Sequence, residues 1–110
     1  YNVFSFQVFA ESYTCSGSLE KYNRSGEVEM KVYQRKGNKF VHLKQGWEFD
    51  ILYETNEDLV LVNFDVDSLG PTVFIVFIEK DTNKFAEHFL SYEDIEQNKL
   101  GLSGKCVKLN

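Results

Sequence analysis

Residues 70–85 read GPTVFIVFIEKDTNKF. In an extended chain successive side chains take opposite faces, so Val73, Ile75 and Phe77 line one face and Phe74, Val76 and Ile78 the other. Neither face is polar, and a strand of this kind has to be covered on both sides. The KDTN that follows at 80–83 supplies the Asn and Asp of a tight turn. The run is therefore read as a sheet strand with Phe74, Val76 and Ile78 filling an interior. Val73, Ile75 and Phe77, in phase with charged Glu79, then form an outer face that needs a cover.

Working outward, the same alternation recurs. Trp47, Phe49, Ile51 and Tyr53 interleave with Glu48, Asp50, Leu52 and Glu54, which predicts one core face and one mostly wet face. Val28, Met30 and Val32 alternate with Glu27, Glu29 and Lys31. Strands are expected at 3–9, 11–20, 27–34, 39–45, 48–54, 58–66, 72–80, 84–91 and 104–109, and the short Gly, Asn and Asp-rich connections between them pair sequence neighbours. The expected fold is all-β: an eight- or nine-stranded antiparallel meander closed as a calycin-like barrel, with a β-sandwich as the alternative. SYEDIEQNKLG at 91–101 carries the one helical signal, with Ser91 as cap, Glu93 and Asp94 near the positive end of the dipole and Gly101 as stop. A short helix near residues 92–99 is the expected lid over Val73, Ile75 and Phe77, and a homodimer through residues 73–78 is the second candidate cover.

A chain of 110 residues makes one domain, residues 1–110, with a single core. Its apolar share of 43% and charged share of 26% belong to a globular protein rather than a disordered one. The 10 Phe and 6 Tyr beside a single Pro favour strands. With a net charge of -5 and no run of Lys or Arg longer than two residues, nothing offers a phosphate backbone a footprint, so nucleic acid is not an expected partner. YNVFSFQVFA at 1–10 is too short to span a bilayer and lacks the charged front of a signal peptide. The chain begins at Tyr1 without an initiating Met, in keeping with a removed leader or a trimmed start.

Catalytic chemistry has little to stand on. His42 and His88 are the only histidines, both in predicted strands, and no nucleophile elbow or reactive-cysteine setting accompanies them. Both are expected to be surface strand histidines, too far apart in a meander to share a metal. DVDSLG at 65–70 lacks the later ligands of a calcium loop and reads as a turn. Glu54, Glu57 and Asp58 fall around a hairpin tip, where carboxylates are solvated. No enzyme, metal or cofactor is expected. The expected function is a binding module for a small apolar ligand in or at the mouth of the barrel, with Trp47, Phe49, Ile51, Val60, Val62 and Phe64 as interior candidates. A protein partner is the alternative, met through an exposed apolar or acidic patch.

Cys15 and Cys106 are too sparse for a zinc site or a redox pair. They are either bonded or two separate buried thiols. A bond is the expectation, tying the terminal strands together and implying an oxidising compartment, periplasmic or secreted. YTCSGS at 13–18 and GKCVKLN at 104–110 resemble the terminal cysteine contexts of small secreted bacterial barrels, notably the periplasmic lysozyme inhibitors. That resemblance implies an eight-stranded barrel with a disulfide between similarly placed cysteines and a protein partner, lysozyme or another hydrolase. The S-G-x-x-Y loop motif of those inhibitors is missing, so no inhibitory residue carries over. The general composition also resembles exported proteins of marine bacteria. The order of strands, then SYEDIEQNKL, then GKCVKL, is similar to that of calycin carriers, although the G-x-W of lipocalins is absent and Trp47 lies mid-chain.

Overall fold

The structure, a computed structural model, describes residues 11–19, 29–91 and 101–109. These form eight strands: β1 Ser12–Leu19, β2 Glu29–Lys36, β3 Lys39–His42, β4 Trp47–Glu54, β5 Asp58–Asp67, β6 Gly70–Glu79, β7 Lys84–Ser91 and β8 Gly101–Leu109. Each pairs antiparallel with the next, and β8 pairs back onto β1, so the sheet is a closed barrel rather than a sandwich. The strand expected at 3–9 and the helix expected near 92–99 lie outside the described residues. Among the described residues no helix is long and apolar enough to cross a membrane.

Turn chemistry sets the hairpins. Gly37 and Gly46 take positive φ values of 66° and 77° between β2, β3 and β4, a region that side chains other than glycine seldom enter. Asn83 (φ 62°) does the same between β6 and β7, as asparagine tolerates. At DVDSLG, Asp67 Oδ1 accepts hydrogen bonds from the backbone N–H groups of Leu69 (2.8 Å) and Gly70 (3.2 Å), so the segment is an Asx-type turn.

The seam between β1 and β8 is closed in a particular way. Cys15 stands opposite Cys106, and the two are disulfide-bonded. Two residues along, Gly17 stands opposite Gly104. A Cβ on Gly104 would lie 2.0 Å from the Ser16 carbonyl oxygen, and one on Gly17 would lie 2.4 Å from that of Ser103. Only glycine lets the strands come this close. The bond closes a sequence separation of 91 residues, which the chain-entropy account values at roughly 4–5 kcal/mol. It is consistent with an oxidising, extracellular type of compartment.

Inward-facing side chains form one contiguous core that includes Tyr13, Tyr33, Phe40, Phe49, Leu59, Leu61, Val76 and Phe85. On β6, Phe74, Val76 and Ile78 face in while Phe77 is 56% exposed, the arrangement expected from the doubly apolar run. Three expectations change. On β2 the charged face turns inward: Tyr33 is buried opposite Tyr13, Lys31 lies opposite Cys15, and Met30 is 65% exposed. On β4 the register shifts between Ile51 and Tyr53, so Leu52 and Tyr53 both face out and the Glu54 carboxylate turns toward Arg35. On β5, Leu59 and Leu61 take the inner face, so Val60, Val62 and Phe64 alternate onto the outer one, where Val60 is nevertheless buried, Val62 is partly covered and Phe64 is exposed. Both faces of DLVLVNFDV are apolar, and only pairing with Ile78 and Val76 decides which one goes inside.

Candidate functional site

Three places in the barrel carry chemistry or unspent surface: the interior near the β3–β4 turn, the opposite end, and the outer face of β4–β6. The interior near the β3–β4 turn holds a buried polar group set among rings. Lys31 Nζ forms an ion pair with the Glu87 carboxylate, and Tyr33 Oη donates to Glu87 Oε1 at 2.8 Å. Lys31 Nζ also lies 5.1 Å from the centre of the Phe74 ring and 4.0 Å from Glu29 Oε1. Every strong polar atom of this group is therefore occupied, as burial demands. Burial first, and then the Glu87 charge, push the Tyr33 hydroxyl well above the usual tyrosine range.

His42 belongs to this region and is 2% exposed, so it is a core histidine and not the surface residue the alternation implied. Its Nδ1 accepts the Gln45 backbone N–H at 3.2 Å, and its ring meets Tyr33 edge-on at 5.3 Å. Burial, with the Lys31 charge second, holds its pKa below the ordinary histidine value. His88 sits on β7 opposite Ile75, on the other side of the barrel wall from Glu87. The two histidines are thus separated by the wall as well as by intervening strands. Among the described residues no group of three or more His, Cys, Asp or Glu is placed to hold a metal ion.

The opposite end, where β1 begins and the β4–β5 and β6–β7 hairpins turn, is crossed by ion pairs. Arg35 Nε meets Glu11 Oε1 at 2.7 Å, and the far side of its guanidinium meets Glu54. Glu54 also accepts from Lys80 Nζ at 2.9 Å, Tyr13 Oη donates to Glu11 Oε2 at 2.6 Å, and the Arg35 guanidinium lies 4.8 Å from the centre of the Phe40 ring. Burial alone would raise the pKa of Glu11 and Glu54. Hydrogen bonds and charges from Tyr13, Arg35 and Lys108 for Glu11, and from Lys80 and Arg35 for Glu54, outweigh it and hold both below the usual glutamate value. Glu54 is thus a structural ion-pair member and not the solvated carboxylate expected at the hairpin tip.

The outer face of β4, β5 and β6 is different, because its apolar side chains lack polar neighbours of that kind. Register sets them in rows across the sheet: Tyr53, Val60 and Phe77, then Val62 and Ile75, then Phe64 and Val73. Tyr53, Phe64 and Phe77 are 55%, 64% and 56% exposed. Removing those exposed parts from water would be worth about 1 kcal/mol for each side chain. The shifted register of β4 tips Tyr53 away from the barrel and opens a depression of about 250 Å³ between it, Val60 and Phe77, edged by Asp58 and Glu79.

The six interior candidates separate accordingly. Phe49 is fully buried in the core, Ile51 packs partly buried against it, and Trp47 stands 42% exposed with its ring 5.7 Å from that of Phe74. Val60, Val62 and Phe64 belong to the outer face. Tyr53 and Phe77, which shape the depression, were not among the candidates. The two-sided run at 73–78 signals Phe77, whereas nothing in the sequence signals the register shift that exposes Tyr53. No protein-family model, curated protein or solved structure matches this chain.

Proposed function

We propose that the protein is a non-catalytic, exported binding module that receives apolar side chains of a protein partner on its outer face, in the depression between Tyr53, Val60 and Phe77. The observation that carries this is the row of half-exposed rings on the outer wall, over a contiguous core of buried side chains. A volume of about 250 Å³ lies below the range of about 300–1,000 Å³ that holds a drug-sized ligand, and it suits one or two side chains of a polypeptide. Asp58 and Glu79 at its edge favour a partner segment with Lys or Arg beside its apolar residues. An acidic protein that presents such a face is suited to a basic hydrolase, the class of partner implied by the inhibitor resemblance. The disulfide supports a periplasmic or secreted location.

The test uses the neutral dye N-phenyl-1-naphthylamine with the full chain. Fluorescence enhancement is expected for the native protein, together with its loss in the Tyr53→Ser/Phe77→Ser variant and competition by short peptides of the form Lys-Phe-x-Phe. Binding unchanged by the double substitution would sink the proposal. A second reading, a small apolar ligand at the mouth, is favoured by Trp47, the single tryptophan, half-exposed beside His42 and Phe74. It predicts a ligand-dependent change in tryptophan emission that survives Tyr53→Ser/Phe77→Ser.

A further inference from the structure

The barrel wall is not equally complete along β5. Pairing between β4 and β5 reaches its last pair at Asp50 and Val62, whereas β5 continues through residues 63–67, which pair with β6 and, among the described residues, with no strand on their other side. An unbroken ladder would set Glu48 opposite Phe64. Instead the Asn63 side-chain amide donates to the Glu48 carbonyl oxygen at 2.8 Å, and from there to the turn residues 64–67 are all exposed. The sheet therefore opens beside β5, and its last turnward residues form an edge.

Alternation fixes which backbone groups that edge presents. The Asp65 carbonyl faces β6, where Thr72 Oγ1 donates to it at 3.4 Å. The N–H and C=O groups of Phe64 and Val66 consequently point away from β6, off the edge. There the Val66 N–H is met by Asp65 Oδ1 of its own strand at 2.8 Å, a side-chain stopper on an otherwise open edge. Side chains alternate as well. Phe64 and Val66, 64% and 62% exposed, share the outer face, and Asp65 and Asp67 take the other. Neither carboxylate belongs to an ion pair among the described residues.

We propose that residues 63–67 of β5 are a strand-addition site for an extended segment of a protein partner in which Lys or Arg alternates with apolar residues. The segment runs antiparallel to β5 in the row that β4 vacates and exchanges backbone hydrogen bonds with Val66. Its apolar side chains lie beside Phe64 and Val66, and its cations beside Asp65 and Asp67, where opposite charges across a strand pair are favourable. On docking, the Asp65 carboxylate passes from the Val66 N–H to a cation of the segment. A second copy of this chain is the wrong occupant, because two such edges laid antiparallel about Asp65 set like charges opposite each other. The site is separate from the depression at Tyr53 and Phe77 and does not rest on it.

The test uses the full chain and the labelled peptide Lys-Val-Lys-Val-Lys-Val, followed by fluorescence anisotropy. Binding is expected, and the same peptide N-methylated at its valines is expected to bind weaker by roughly tenfold or more, the worth of one or two backbone hydrogen bonds. Val66→Pro removes an N–H that β6 does not use, a change an edge strand tolerates, and is expected to weaken binding as much. Tyr53→Ser/Phe77→Ser should leave it unchanged. Absence of binding overturns the proposal, as does equal binding of the N-methylated peptide, which decides the matter on unaltered protein even if Val66→Pro fails to fold. Equal binding of Glu-Val-Glu-Val-Glu-Val overturns the basic partner. Binding lost in Tyr53→Ser/Phe77→Ser but kept in Val66→Pro moves the peptide to the depression and overturns the edge site alone.

Discussion

On its outer surface β1 presents Ser12, Thr14, Ser16 and Ser18, whereas β5 and β6, across the barrel, present Val62, Phe64, Val73, Ile75 and Phe77 around a buried Val60. The inner sides differ as much. The β1–β8 wall is held by a covalent bond and by two glycines that let backbones nearly touch. The β5–β6 wall is held by a ladder of ten residue pairs and by the rings and branched chains behind it. A wall stapled in this way needs no apolar exterior. Apolar area kept on the outside of the other wall adds nothing to closure, which is why a binding role is sought there.

The comparison is broken most severely at the staple. Replacing both cysteines, Cys15→Ala/Cys106→Ala, is expected to lower stability by roughly 4 kcal/mol, read as a fall in the urea midpoint with a steeper slope, because the unfolded chain without its cross-link exposes more surface. A small change would mean that the two walls do not differ in kind. Next is the buried pair. Glu87→Ala leaves Lys31 charged and without its main partner inside the barrel, at a cost of about 3–5 kcal/mol. Glu87→Gln is expected to retain part of that, because the Tyr33 hydroxyl keeps an acceptor.

Acid separates the ends of the barrel without any mutation. Glu11 and Glu54 have folded-state pKa values below the ordinary 4.5, so the folded protein binds fewer protons than the unfolded chain as that value is approached. Their contribution is complete above about pH 4.5 and disappears as pH falls through the lowered values. His42, also depressed by burial, adds an earlier loss that begins as pH drops through about 6.5. Chemical denaturation at stepped pH is expected to show both losses, and Arg35→Met should weaken the lower one only. The smallest expected change in stability is at the outer wall. Phe77→Ser should lower stability by no more than about 0.5 kcal/mol while removing dye binding. A large loss of stability there would show that the ring serves the fold.

The legible parts of the barrel are those where one signal suffices. Turn residues at 35–38 and 80–83 and the two-sided run at 73–78 give the hairpins and the orientation of β6. The orientation of β2 is not legible, because Lys31 and Arg35 look like surface residues until Glu87, Glu11 and Glu54 arrive from distant strands to neutralise them. The same holds for His42, which is buried by partners on β2 and β4. For β5, alternation is degenerate and pairing alone chooses the face. The candidate site suffers twice, since Tyr53 depends on a one-residue register shift and Val60 on that degenerate choice. What reads cleanly is the outward apolar face at Phe77.

The bond between Cys15 and Cys106 has a consequence beyond stability. It makes the backbone from 15 to 106 a covalent ring, so a protease that nicks the exposed Asp81–Thr82 turn or the Gly37–Asn38 turn releases no fragment. A single cut leaves two chains still joined by the disulfide, together of the original mass plus one water. On a non-reducing gel the nicked protein therefore persists as one species, and separate pieces appear only after reductant is added. Wherever reductants are scarce, damage of that kind is retained rather than shed.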